Sequence, residues 1–219
     1  MPYGIRCETW GDYALFSRPE FKVERVSYDV MTPSAARGIL ESVYWHPGMR
    51  WLIDRIFVCN PIIFTNVRRN EVKSKILASQ VFSAMQGSCK ELYIASSEDI
   101  QQRASMVLKD VRYVIDAHFE MTAEAAPGDN EGKFCEIARR RLEKGQFYSK
   151  PYFGCREFPA HCRLFDSSEV KSFYADAEKD LGWMLYDMDY SDRENITPMF
   201  FRAAMKNGCL DLTQCEVVK

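Results

Sequence analysis

The sequence predicts an α+β fold, and three observations carry that prediction. Two stretches, 33–46 and 130–145, place apolar residues at helical spacing. Residues 110–121 alternate apolar and polar side chains over a full strand length. The last third is rich in short apolar runs and contains Asn207-Gly208, a strong hairpin signal.

Taken in order, residues 2–10 read as a first strand with a turn at Gly11-Asp12, and 22–30 as a short extended segment. Thr32 and Pro33 begin a helix, since the hydroxyl accepts from an orphan amide and the ring already holds a helical φ. His46-Pro47 ends it. Ala36, Ile39, Leu40 and Val43 form its core face, with Arg37, Glu41 and Tyr44 flanking. Arg37 and Tyr44 lie two turns apart on one margin, a suitable place for site residues. Trp51, Ile53, Phe57 and Cys59 mark a half-buried strand over 50–59, and Asn60-Pro61 turns the chain. Residues 62–95, carrying Arg68, Arg69, Lys73 and Lys75, suit a projecting hairpin or mobile loop. In the 110–121 strand, Val111, Tyr113, Ile115, Ala117, Phe119 and Met121 share one face, with His118 on the polar one. Pro127-Gly128-Asp129-Asn130 turns into a second helix whose apolar side is Phe134, Ile137, Ala138 and Leu142, ending near Gly145. Lys133, Arg140 and Lys144 form a basic stripe beside that side, whereas Arg141 falls near the apolar side without a sequence explanation. The neighbourhoods of Phe153 and Phe158, then 183–190, 200–206 and 209–212, are extended. A strand, helix, strand, strand, helix, strand order followed by antiparallel strands suggests a ferredoxin-like domain over 1–150, with the insertion at 62–95, and an antiparallel β extension over 151–219.

With 219 residues, 47% of them hydrophobic, the chain can fill a sizeable core. Its start has no signal-like pattern and no window spans a bilayer, so a cytoplasmic location without membrane contact is expected. The eight cysteines form no C-x-x-C pair, so reduced, buried thiols are the default. Cys155, His161 and Cys162 invite a metal reading, against which stands ordinary strand packing; no metal or cofactor is expected. Net charge is only −2, yet residues 166–194 carry nine acids against three bases. The surplus of positive charge in 1–165 gathers at 68–75 and 139–150, as phosphate tracks or as solvated faces. Sequence-tolerant binding of duplex DNA through these clusters is a further possibility. Walker loops, paired-histidine metal motifs and a G-x-S-x-G elbow are absent from the sequence. Tyr, Lys and three His remain, a set suited to metal-free RNA cleavage, in which a 2′-hydroxyl attacks the adjacent phosphate.

Four segments, ERVSYDVMTPSAARGILESVYWHP, NPIIFTNVRRNEV, LKDVRYVIDAHFEM and NEGKFCEIARRRLEKGQFYSKPYFGCREF, resemble CRISPR-associated protein family five, subtype d, the RAMP subunit of subtype I-C systems. Matching segments run from about residue 3 to 210. The resemblance implies an RNA-recognition-like RAMP domain and a metal-independent endoribonuclease that processes precursor CRISPR RNA at the repeat hairpin. It also implies that the protein holds the 5′ handle of its product beside the backbone and large subunits of the interference complex. Tyr44 would activate or orient the 2′-hydroxyl, and Lys133, in the first turn of its helix, would stabilise the phosphorane. Phe134 stands where the family has His, so acid–base work by that residue does not carry over. Tyr44 and Lys133 suffice, or His46 or His118 substitutes, or the chain binds RNA and cuts poorly, as an assembly subunit. Restoring His at 134 distinguishes an intact site from a lost one. Charge and helical spacing add Arg37, Arg68, Arg69, Lys73, Lys75, Arg140 and Lys144 as candidate RNA contacts.

Overall fold

A computed structural model describes residues 4–21, 23–88, 91–192 and 194–219. The expected first-strand residues Pro2 and Tyr3, the start of the extended segment at Lys22, and Cys89 lie outside these described residues.

Four strands and two helices build the centre. Strands β1 (Gly4–Ala14), β3 (Met49–Val58), β5 (Ile100–Met121) and β6 (His161–Leu164) lie in the order β3-β5-β1-β6, all pairs antiparallel. Helix α1 (Pro33–Val43) joins β1 to β3, and α3 (Glu131–Lys144) joins β5 to β6. This is the ferredoxin-like order. The helices form where their caps dictate: Thr32 Oγ1 accepts from Ala35 N at 3.3 Å, Asn130 Oδ1 from Lys133 N at 2.9 Å, and Gly145 takes the left-handed φ of 61° that ends α3. Glu131 in the first turn of α3 and Arg141 and Lys144 in its last complement the helix dipole.

Parity along the strands separates two faces. Ile5, Cys7, Ile56, Tyr113, Ile115, Ala117 and Phe119 face the helices and are buried with Ala36, Ile39, Leu40, Val43, Phe134, Ala138 and Leu142. The intervening residues on the other face are largely charged.

The structure corrects several expectations. Gly11-Asp12 is no turn: β1 runs through it, with Gly11 opposite Val111. Glycine is needed there because a Cβ would approach Pro159 O to 2.8 Å and the Phe153 ring to 3.0 Å. The strand expected from 110 begins at 100. Its outer half, Ile100–Lys109, pairs with β4 (Ile63–Val72), and Asp110, at φ 54°, marks the junction. Helix α2 (Ala78–Met85), which buries no residue, lies between the two strands near the tip. The insertion foreseen at 62–95 is thus one arm and the tip of a hairpin whose return arm reaches 109. A short β2 (Arg25–Val26) pairs with Ser105 and Met106.

The expected boundary at residue 150 does not divide the sheet. Strand β6, beyond it, is the fourth strand of the central order. Past the hairpin of β7 (Glu178–Asp189) and β8 (Thr197–Lys206), β9 (Cys209–Asp211) pairs with both β8 and β3, and β10 (Val217–Val218) pairs with β8. Asn207 (φ 51°) and Gly208 (φ 74°) supply the hairpin turn that Asn-Gly announces. Among the described residues no helix is long and apolar enough to cross a membrane.

Candidate functional site

Tyr44 leaves α1 instead of extending it. Its backbone is extended (φ −151°, ψ 127°), so α1 ends at Val43, before His46-Pro47 is reached. Its carbonyl accepts from Trp51 Nε1 at 2.9 Å, which pins it over the core. Tyr44 and Arg37 therefore do not share a helix margin. Arg37 turns toward the C-terminal strands, where Nη1 lies 2.8 Å from Asp187 Oδ2 and Nη2 donates to Oδ1 at 2.9 Å.

Around Tyr44 the two helices meet. Arg141, unexplained by the helical pattern, donates from Nη1 to Val43 O at 2.9 Å, and its guanidinium lies 5.3 Å from the Tyr44 ring centroid. It thus caps the C-terminal end of the other helix. Phe134, fully buried, is the hub: the rings of Tyr44, His46 and Phe119 lie 6.0, 4.9 and 6.3 Å from it. Lys133, one residue earlier, is half exposed, and its Nζ donates to Asp129 Oδ1 at 2.8 Å. Asp129 Oδ2 is 4.0 Å from His46 Nδ1.

Burial pushes the Tyr44 phenol above its ordinary value of 10.0, although the charges of Lys133 and Arg141 pull it back. It is a neutral phenol near neutral pH. The hydrogen bond to Asp129 raises Lys133 above 10.5, and the same bond lowers Asp129 below 3.8. His46 Nδ1 accepts from Gly48 N at 3.0 Å, so the neutral ring carries its proton on Nε2. The cluster gathers a buried phenol, a half-exposed ammonium and an imidazole N–H around Phe134. That set can hydrogen-bond a phosphate and meet charge growing on it.

His118 is not in this cluster. In register it lies opposite Leu52 and Gly4, on the other face of the sheet, with Nδ1 2.9 Å from both Asp54 oxygens. It lines a cavity of about 660 Å³ with Arg6, Arg55, Asp116 and Arg139. The sheet separates it from Tyr44, so it cannot substitute there.

The basic candidates divide. Arg68, Lys73 and Lys75 are exposed on the projecting hairpin, and Arg140 and Lys144 on α3. Arg69 is turned inward to an ion pair with Glu157 and to Ser105 Oγ at 3.3 Å. His161 and Cys162 are adjacent in β6 and so face opposite sides of the sheet: His161 pairs with Trp10 and Cys162 with Thr9. Among the described residues no group of three or more potential ligands could hold a metal ion. Asp129 and Arg141 were missed as site residues. Asp129 sits one helical turn before Lys133, a readable signal; Arg141 bonds a carbonyl on another element, which no local pattern displays.

A family model described as CRISPR-associated protein (Cas_Cas5), of the Cas5d type, matches residues 4–212. A protein of Mannheimia succiniciproducens named CRISPR pre-crRNA endoribonuclease Cas5d is 51% identical over 97% of this chain and 96% of its own length. One of the same name from Thermus thermophilus is 37% identical over 95% and 90%. A crystal structure of a CRISPR-associated protein superposes with a TM-score of 0.71 at 22% identity, covering 99% of this chain and 96% of the other, a likeness of fold.

Proposed function

The chain belongs to the Cas5d family of CRISPR-associated proteins, and from that premise we propose that it is an endoribonuclease that processes precursor CRISPR RNA. The observation that carries the reading is the cluster at the junction of α1 and α3, where Tyr44, His46 and Lys133 gather round Phe134. In the proposed step the 2′-oxygen bonds to phosphorus and the bond from phosphorus to the 5′-oxygen breaks. The 2′-proton leaves to solvent and the departing oxygen takes one up. Products are a cyclic phosphate and a 5′-hydroxyl, with no metal required.

Each side chain has a place in that step. Tyr44, held neutral by burial, orients the 2′-hydroxyl as a hydrogen-bonding partner and not as a phenolate base. Lys133, fully charged, meets the charge that grows on the phosphorane, and exchanges Asp129 for the phosphate as RNA enters. His46 presents Nε2–H beside Phe134, which replaces the family's own His and whose ring it packs against at a tilt of 40°. Arg68, Lys73, Lys75, Arg140 and Lys144 supply phosphate contacts along the repeat, and the chain retains the 5′ handle within an interference complex of backbone and large subunits. Arg37 and Arg69 are engaged by Asp187 and Glu157 and are not among these contacts.

Complete burial of Phe134 favours one competing reading, an RNA-holding subunit without cleavage, because a buried phenyl moves no proton. One experiment decides. The purified chain is incubated in EDTA with end-labelled repeat hairpin beside Tyr44→Phe and Lys133→Ala. A 5′-hydroxyl product lost in both variants supports processing; tight binding without product from any of them supports the holding role.

A further inference from the structure

The open face of the sheet carries a feature that the cleavage cluster does not use. Glu8, 1% exposed, accepts from Arg112 Nε at 2.6 Å and from Arg163 Nε at 2.5 Å. A buried carboxylate requires a cation, and one suffices. Elsewhere on this face pairing is one to one, Arg6 with Asp116 and Arg55 with Asp211. Here two guanidiniums share one carboxylate, leaving a surplus positive charge on side chains that remain 46% and 60% exposed. Beside them Trp10 and His161 stack with centroids 5.5 Å apart and planes 19° from parallel, and Arg163 lies 5.2 Å from the Trp10 centroid. Trp51 shows how this fold treats a structural indole, 2% exposed with its N–H bonded; Trp10 is instead half-buried under an exposed imidazole.

We infer that Trp10, His161, Arg112 and Arg163 form a second RNA site, a platform that stacks an unpaired base on the imidazole and holds its phosphate on the arginine pair. Glu8 orients both guanidiniums before RNA arrives, so little side-chain freedom is lost on binding. The ligand is single-stranded because a paired base has no free face to offer. The platform lies on the opposite face from Tyr44 and toward the other end of β5, near residue 112 and not 119. It rests on the RNA-processing reading and adds to it a place for unpaired sequence flanking the hairpin.

The test uses the full chain with octauridylate, an unstructured probe, and in parallel the minimal repeat hairpin. His161→Ala and Arg163→Gln, which leaves Arg112 on Glu8, are each expected to weaken octauridylate binding about tenfold, in line with the stacking contribution of one base. Arg163→Gln also lowers the salt slope of log K by about 0.7. Both variants melt like wild type and cleave the minimal hairpin at its rate. Absence of octauridylate binding by the wild type, or equal binding by both variants, overturns the platform while hairpin cleavage stands. Platform-dependent binding with no cleavage by any form overturns the processing reading and leaves the platform standing.

Discussion

The two halves of β5 belong to one strand and live under different physics. Its inner half, Val111–Met121, is flanked by β1 and β3 and roofed by both helices, so Tyr113, Ile115, Ala117 and Phe119 are buried. Its outer half, Ile100–Lys109, has β4 along its whole length, and β1 and β2 only near Ser105–Lys109. Ile100 and Met106 are exposed. The inner half supports the Tyr44 cluster on a packed floor; the outer half carries Arg68 and Lys73 on a ladder of backbone hydrogen bonds. In the proposed function, proton and charge work, which tolerates little misplacement, falls to the packed half, and contact with a long, variable polyanion to the more exposed half.

The largest test of this contrast is truncation on either side. Phe134→Ala is expected to cost about 3–5 kcal/mol in urea denaturation, as a buried phenyl leaves a cavity beneath Tyr44. Phe82→Ala, in a helix that buries nothing, should stay within about 0.5 kcal/mol of wild type. Equal losses would erase the distinction. Next in size, Lys133→Ala should lower cleavage about 10²–10³-fold while RNA affinity changes little, as for loss of one group meeting transition-state charge. Single-turnover rates beside filter binding separate the two.

Native-state hydrogen exchange reads the same contrast without mutation. Amides of 113–119 should exchange near the global unfolding free energy, and those of 101–104 far faster. Arg68→Gln is a smaller perturbation, expected to weaken RNA binding a few-fold and reduce the salt slope by about 0.7, with cleavage of bound RNA unchanged. Smallest of all is a pH effect. Asp129 sits below 3.8, so its contribution to stability is present above that value and fades as pH falls through the depressed one. Lys133 is raised above 10.5, so its contribution is lost only as pH rises through the raised value. Between about pH 5 and 9 the pair does not titrate, so its contribution to the melting temperature should be flat across that window, and a slope that disappears in Lys133→Ala would contradict this.

Much of this was written in the sequence, and the legible parts are those whose cause is local or whose burial falls on one side. Thr32, Asn130 and Gly145 mark helix ends because capping is local, and the alternation of 111–121 shows because only one face meets the core. The outer half of β5 was illegible for the converse reason. IQQRASMVLK is wet on both faces over much of its length and has no period to read. At the candidate site, Tyr44 and Lys133 come from the family resemblance and not from periodicity, with His46 as one of two candidate substitutes. Its advantage over His118 depends on which side of a sheet each occupies, a fact of register and not of spacing. Arg141 was beyond reach because its partner, the Val43 carbonyl, is 98 residues away.

The free side of β4 has a consequence for the molecule in concentrated solution. Among the described residues this ten-residue strand is paired only with β5, so one row of its backbone donors and acceptors faces outward. Such a row is a template for strand addition between copies, the first step toward fibrils. Arg68 and Glu71 lie along this strand, and charge is the usual defence of an open edge. Substitutions that neutralise this strand to weaken nucleic-acid contact therefore also strip its gatekeepers, and turbidity on concentration is the side effect to expect.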